Sequence, residues 1–159
     1  GHRRFAFVTG SEQSQASLQR QTAFEDYLRE HGHEAPAIEA GLFTHAGGAA
    51  AMRRLMLRPD RPDAVFCAND LMAAAAVDVA RYECGLVVGR DVSVVGFDDI
   101  DLAGWPSYSL TTYSQSVDRI AEEVVETIEA VRNGSPRIRK TVPGGLVIRS
   151  SARTPSAKS

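Results

Sequence analysis

Cysteine is nearly missing from this chain, with two in 159 residues. Cys67 sits inside an apolar run and Cys84 near the end of a helical pattern, so neither a disulfide framework nor a metal-binding spacing exists. That favours a reducing compartment, and a cytoplasmic location is expected. No apolar run approaches the roughly 20 residues needed to cross a bilayer, and no signal peptide is read, so no membrane partner is expected. Basic excess is missing too: net charge is −2 and pI about 6.1. The densest groups, Arg3-Arg4, Arg53-Arg54 and Arg137-Arg139-Lys140, make no electrostatic footprint for nucleic acid. Low-complexity segments, a Gly-rich phosphate loop, a Ser/His/Asp set and a Cys/His dyad are likewise lacking. His2, His31, His33 and His45 fall in terminal or loop-like places without ligand spacing and read as solvated. Neither catalytic residues, a metal nor a cofactor are therefore expected.

What the chain does have is enough apolar content for one domain. With 43% hydrophobic and 24% charged residues, a chain this long buries roughly 68–70% of its unfolded surface around one core. Two apolar runs end abruptly in acid and amide side chains: Ala64-Val65-Phe66-Cys67-Ala68 into Asn69-Asp70, and Val92-Ser93-Val94-Val95-Gly96-Phe97 into Asp98-Asp99. Runs without polar alternation suit strands buried on both faces, as in parallel sheets between helices. Their polar ends then lie at the carboxyl rim, where open α/β sheets bind ligands.

The elements alternate. Arg4 to Thr9 reads as a strand, Ser14 to His31 as a helix stopped by Gly32, Ala37 to Phe43 as a weaker strand, and Ala46 to Leu57 as a helix closed by Pro59 and Pro62. Asp70 to Glu83 is an Ala-rich helix whose broad apolar coverage suggests burial on more than one side, against a second subunit. Beyond Asp101 come a loop through Trp105, an extended Leu110 to Tyr113, an amphipathic helix Val117 to Arg132 of roughly 24 Å at 1.5 Å per residue, and a last strand Leu146 to Arg149. The expected fold class is α/β, a three-layer α/β/α sandwich with a mainly parallel sheet and right-handed crossovers.

Four segments in order carry a resemblance. Gly1-His2-Arg3-Arg4, Ala68-Asn69-Asp70-Leu71-Met72-Ala73, Val92 to Asp99 and Leu110-Thr111-Thr112 resemble the effector-binding domain of lactose-repressor/galactose-repressor transcription factors. The resemblance implies a periplasmic-binding-protein-like fold of which this chain is one lobe plus a returning helix. It places residues 1–151 in the C-terminal lobe of the sensor domain, with 115–133 belonging to the other lobe and 152–159 as a polar tail. The DNA-binding helix-turn-helix and most of the first lobe are then expected to be absent. It further implies a small-molecule effector, commonly a sugar, a homodimer, and operator DNA bound through a head domain outside the chain.

Carried over residue by residue, the resemblance makes Arg20 a ligand-facing arginine, able to give a two-pronged hydrogen bond. Ala23 stands where members usually carry glycine. Phe43 is placed to stack on a ligand ring, or else is an ordinary core phenylalanine. Asn69 is a ligand contact or the N-cap of the following helix, and Ser14 a ligand contact or a cap. Asp98 would accept hydrogen bonds from a ligand and pair with Arg20 when the site is empty, whereas Asp99 reads as bonding the following loop. Gln115 falls at the hinge between lobes. Two alternatives stand beside this reading. A periplasmic or surface sugar-binding protein of a transporter would share the fold. A magnesium-dependent phosphatase or receiver domain would use Asp70, Asp98, Asp99 and Asp101, but its strand-Asp-x-Asp signature normally opens such a phosphatase, and Asp99-Ile100-Asp101 comes late in the chain.

Overall fold

The computed structural model describes residues 1–136 and 139–153. Six strands form one sheet in the order β2-β1-β3-β4-β5-β6. They are β1 (Phe5–Thr9), β2 (Ala37–Ala40), β3 (Ala64–Cys67), β4 (Ser93–Asp98), β5 (Thr111–Ser114) and β6 (Gly145–Val147). The first five pair in parallel, and β6 runs antiparallel against β5. The helices are α1 (Gln15–Glu30), α2 (His45–Met56), α3 (Asp70–Asp78) and α4 (Val117–Arg132). This is the expected three-layer α/β sandwich.

Strand alternation divides the core. One sheet face presents Val8, Val65 and Val94 to α2 and α3, and these residues are fully or almost fully buried together with Met52, Leu55 and Met72. On the other face, Phe5, Phe7 and Phe66 pack edge-on or tilted against Phe24 of α1, with ring centroids 5.4–6.3 Å apart. Such aromatic pairs add to simple area burial. Beyond α1 the same face is open over β4 to β6, where Val95, Phe97, Tyr113, Leu146 and Ile148 line a groove of about 460 Å³.

Several boundaries differ from the sequence reading, each for a local reason. Strand β2 stops at Ala40 rather than Phe43, because the amides of Gly41 and Leu42 both donate to the Thr9 carbonyl. Leu42 and Phe43 then turn through the left-handed region, with φ 57° and 59°. Helix α3 ends at Asp78 and widens into a π-helical turn over Val79–Glu83, its next amides reaching back from Cys84 to Val79 and from Leu86 to Ala80. The Ala-rich face is not an intersubunit surface: Ala73 to Val77 are wholly buried within this one chain, between α2 and the sheet. Gly48 allows that closeness, since a Cβ there would lie 2.6 Å from the Met72 Cα.

Helix α4 has the expected limits, and none of its residues is buried. Val124 is 51% exposed and Ile128 62%, so the apolar stripe stays largely open, bordered among the described residues by Lys140 and Val142. Ala152 and Arg153, read as the start of a polar tail, are held in place: the Arg153 amide donates to Ser93 Oγ and its side chain to the Arg90 carbonyl. The rest of that tail, 154–159, lies outside the described residues. His2 is not a solvated terminal side chain either. Its ring lies edge-on to Phe5 with Nε2 3.1 Å from Ser93 Oγ, and burial lowers its pKa against the pull of Asp63.

Candidate functional site

The carboxyl rim of the parallel sheet gathers four polar groups. Arg20 lies in the second turn of α1, and its Nη1 donates to the Ala68 carbonyl at 2.6 Å, tying the helix to the end of β3. Its guanidinium covers the Phe97 ring at 3.7 Å from the centroid, an attractive arrangement for a cation over an aromatic face. Nη2 points toward Asp98 Oδ1 at 3.8 Å. Gln115, between β5 and α4, donates to that same Asp98 oxygen at 2.8 Å. Arg20, Asp98 and Gln115 thus converge above an aromatic floor in which Phe97 stacks on Tyr113; the approach of Arg20 to Asp98 was expected, the bond from Gln115 was not.

Burial sets the electrostatics. It lowers the Arg20 pKa, with Asp98 opposing. It raises the Asp98 carboxyl, with Arg20 and then the Gln115 hydrogen bond opposing. Both charged forms are thus strained by desolvation and relieved by each other, a combination frequent at binding sites. The backbone carries strain as well: Asp98 has φ 115° and Asp99 φ 56°, values uncommon outside glycine. Together with Leu42 and Phe43 they place four of the five positive-φ non-glycine residues among those described at or just beyond the carboxyl ends of β2 and β4.

The remaining candidates behave differently. Asn69 Oδ1 accepts from the Met72 amide at 3.0 Å and caps α3, which leaves its amide donors directed elsewhere, so capping and binding are compatible in one side chain. Ser14 caps α1 by accepting from Ser17. Phe43 does not end a strand and does not enter the Arg20 contacts. Its ring covers Gly10, where a Cβ would come within 2.0 Å of it. Asp99 faces Arg149, whose Nη2 approaches Oδ1 at 2.8 Å but off the line of a good hydrogen bond, so that oxygen accepts none. This is an ion pair rather than a directed bond.

The sequence reading missed Phe97 and Arg149. Phe97 could have been found from strand parity, which puts it on the α1 side with Phe66 and Val95. Arg149 belongs to the returning segment after α4, and nothing local predicts that it donates to the Leu110 carbonyl at 2.8 Å while facing Asp99. A magnesium site is not assembled: among the described residues no three His, Cys, Asp or Glu side chains gather as metal ligands would. Asp70 turns inward, fully buried. No described helix is long and apolar enough to cross a membrane.

The periplasmic binding protein-like domain profile matches residues 1–152. The HTH-type transcriptional regulator AscG of Escherichia coli is 34% identical over 161 residues, covering 98% of this chain and 47% of that protein. The chain thus spans about half the length of this relative. Among solved structures, a LacI transcriptional regulator from a Rhodococcus species superposes with a TM-score of 0.90 at 30% identity, covering 96% of this chain and 57% of the other. A sugar-binding LacI-family regulator from Escherichia coli, complexed with phosphate, gives 0.87 at 34%, covering 98% and 56%.

Proposed function

The chain belongs to the periplasmic binding protein-like domain family, in the form carried by lactose-repressor/galactose-repressor regulators, and from that premise we propose that it is the effector-sensing lobe of a DNA-binding repressor. The observation that carries the reading is the convergence of Arg20, Asp98 and Gln115 over Phe97 at the carboxyl rim. A guanidinium and a carboxylate side by side offer donors and acceptors to adjacent hydroxyls, while an aromatic floor receives the apolar face of a ring. That chemistry fits a sugar. Asn69 extends the set with its amide donors, and Phe43 and Ser14 complete the proposed contacts.

The site is half of a cleft. Gln115 belongs to the segment leading into α4, and residues 115–133 are assigned to the facing lobe. The bare stripe of α4 and the open sheet face over β4 to β6 are two apolar surfaces of a kind that monomers seldom leave uncovered, and relatives about twice as long supply material to cover them. Ligand closes the two lobes, the closed arrangement changes the geometry of a dimer, and attached DNA-binding heads gain or lose operator affinity. The ligand must bind one arrangement better than the other for this to work. A regulator of this kind acts in the cytoplasm and performs no catalysis.

The test is made in the full-length regulator, with operator binding followed by DNA mobility shift across a panel of monosaccharides and disaccharides. Asp98→Ala is expected to abolish the effector response and leave operator binding intact. An unchanged response in that variant contradicts the site.

A further inference from the structure

We infer that Asp70 is the positioning residue of this site, the buried strut that holds Asp98 where a ligand would meet it; the inference rests on reading Asp98 as an effector contact. Asp70 is the first residue of α3 and is wholly buried. A buried carboxylate is costly unless donors satisfy it, and two do. Oδ1 accepts from Thr112 Oγ1 at 2.6 Å, and Oδ2 accepts from the Ile100 amide at 3.0 Å. The first donor belongs to β5, the second to the loop that leaves β4.

Those two elements deliver the site. Asp98 and Asp99 lie immediately before Ile100, and both hold left-handed backbone. Non-glycine residues persist in such conformations only where their surroundings over-determine them. Here the Ile100 amide is anchored from beneath by Asp70, while Arg149 faces Asp99 from the side. On the other arm, Thr112 lies three residues before Gln115, which donates to Asp98. One carboxylate therefore joins the strand carrying Asp98 to the strand leading to Gln115. Room for it depends on Gly96: a Cβ at that position would lie 2.0 Å from Asp70 Oδ1. Strand β4 is notched at the one place where the strut passes.

The experiment is NMR of the 159-residue chain without ligand, so its outcome is independent of whether the effector reading is right. Backbone shifts and couplings of Asp98 and Asp99 report their left-handed conformation, and the Gln115 side-chain amide reports its bond to Asp98. In Asp70→Ala we expect the left-handed signature to be lost and the Gln115 amide to move, with resonances of β1 and α2 in place. Asp70→Asn should retain both signals, because its Oδ1 can accept from Ile100 while its amide donates to Thr112 Oγ1. Retention in both variants, or loss in both, overturns the inference. If Asp70→Ala does not fold, Thr112→Val decides: averaging of the Asp98 signature is expected, and an unchanged Asp98 and Ile100 overturn it.

Discussion

Arg20→Met removes the guanidinium and keeps an apolar stem over Phe97. Three terms set its cost. The bond from Nη1 to the Ala68 carbonyl is charge-assisted and part-buried, worth about 1.5–3 kcal/mol. The contact with Phe97 contributes about 0.5–1 kcal/mol. The ion pair with Asp98, at 3.8 Å and with the carboxylate 34% exposed, is screened and counts for little. Against these stands the desolvation that lowers the Arg20 pKa, which the methionine does not suffer. A net loss of about 1–2 kcal/mol follows, and at roughly 2–4 °C per kcal/mol for a chain of this size the melting temperature falls by about 2–8 °C. Thermal unfolding by circular dichroism at pH 7 measures it. In the same variant, NMR titration should find the Asp98 carboxyl raised further, because the charge opposing its burial is gone. A melting temperature that stays level or rises would show that the guanidinium is a net burden on the fold. Arg20 would then not be a net stabilising tie between α1 and the end of β3.

Three further outcomes are expected. Gly48→Ala gains about 1 kcal/mol of helix propensity, but its Cβ would meet the Met72 Cα at 2.6 Å and carbonyl oxygen at 2.7 Å. Backbone cannot step aside cheaply, so overpacking of about 1–3 kcal/mol wins, and denaturant unfolding should show a less stable protein while Gly145→Ala, with open space around it, stays within about 0.5 kcal/mol. Burial, with Asp98 adding to it, raises the Asp70 carboxyl against its two hydrogen bonds. The stability tied to its protonated form is complete below the unfolded value of about 3.9 and is lost as pH rises through the folded value. Asp70→Asn should therefore gain on the parent between acid and neutral pH, and parallel stability curves for the two would contradict the assignment. Val124→Lys replaces a half-exposed residue of α4; denaturant unfolding should change by less than about 0.5 kcal/mol, and a loss above about 1 kcal/mol would mean that the stripe is packed within the chain.

The expectations that held rest on short-range physics. Capping of α1 and α3 by Ser14 and Asn69 follows from side chains one position before a helical pattern. The parallel strands follow from unbroken apolar runs. Where the reading failed, the deciding contact is distant in sequence. Strand β2 ends early because Thr9, thirty-two residues before Gly41, takes the next two amides. The Ala-rich helix looked like a subunit interface because its breadth of apolar cover is the same whether the second cover is a partner chain or α2, and periodicity does not tell one from the other. The site divides in the same way. Arg20, Asp98 and Gln115 were legible through resemblance, and the structure brings them together. Phe97 was hidden because a strand phenylalanine reads as core until an arginine from α1 is seen above it. Asp70 shows the limit most clearly: adjacent to Asn69 in a rim motif, it is set apart as structural by the resemblance, whereas its spacing alone does not distinguish it from a ligand contact. The inward path opened by Gly96, and the donors of Thr112 and Ile100 at its end, separate a residue that meets ligand from one that holds its neighbour in place.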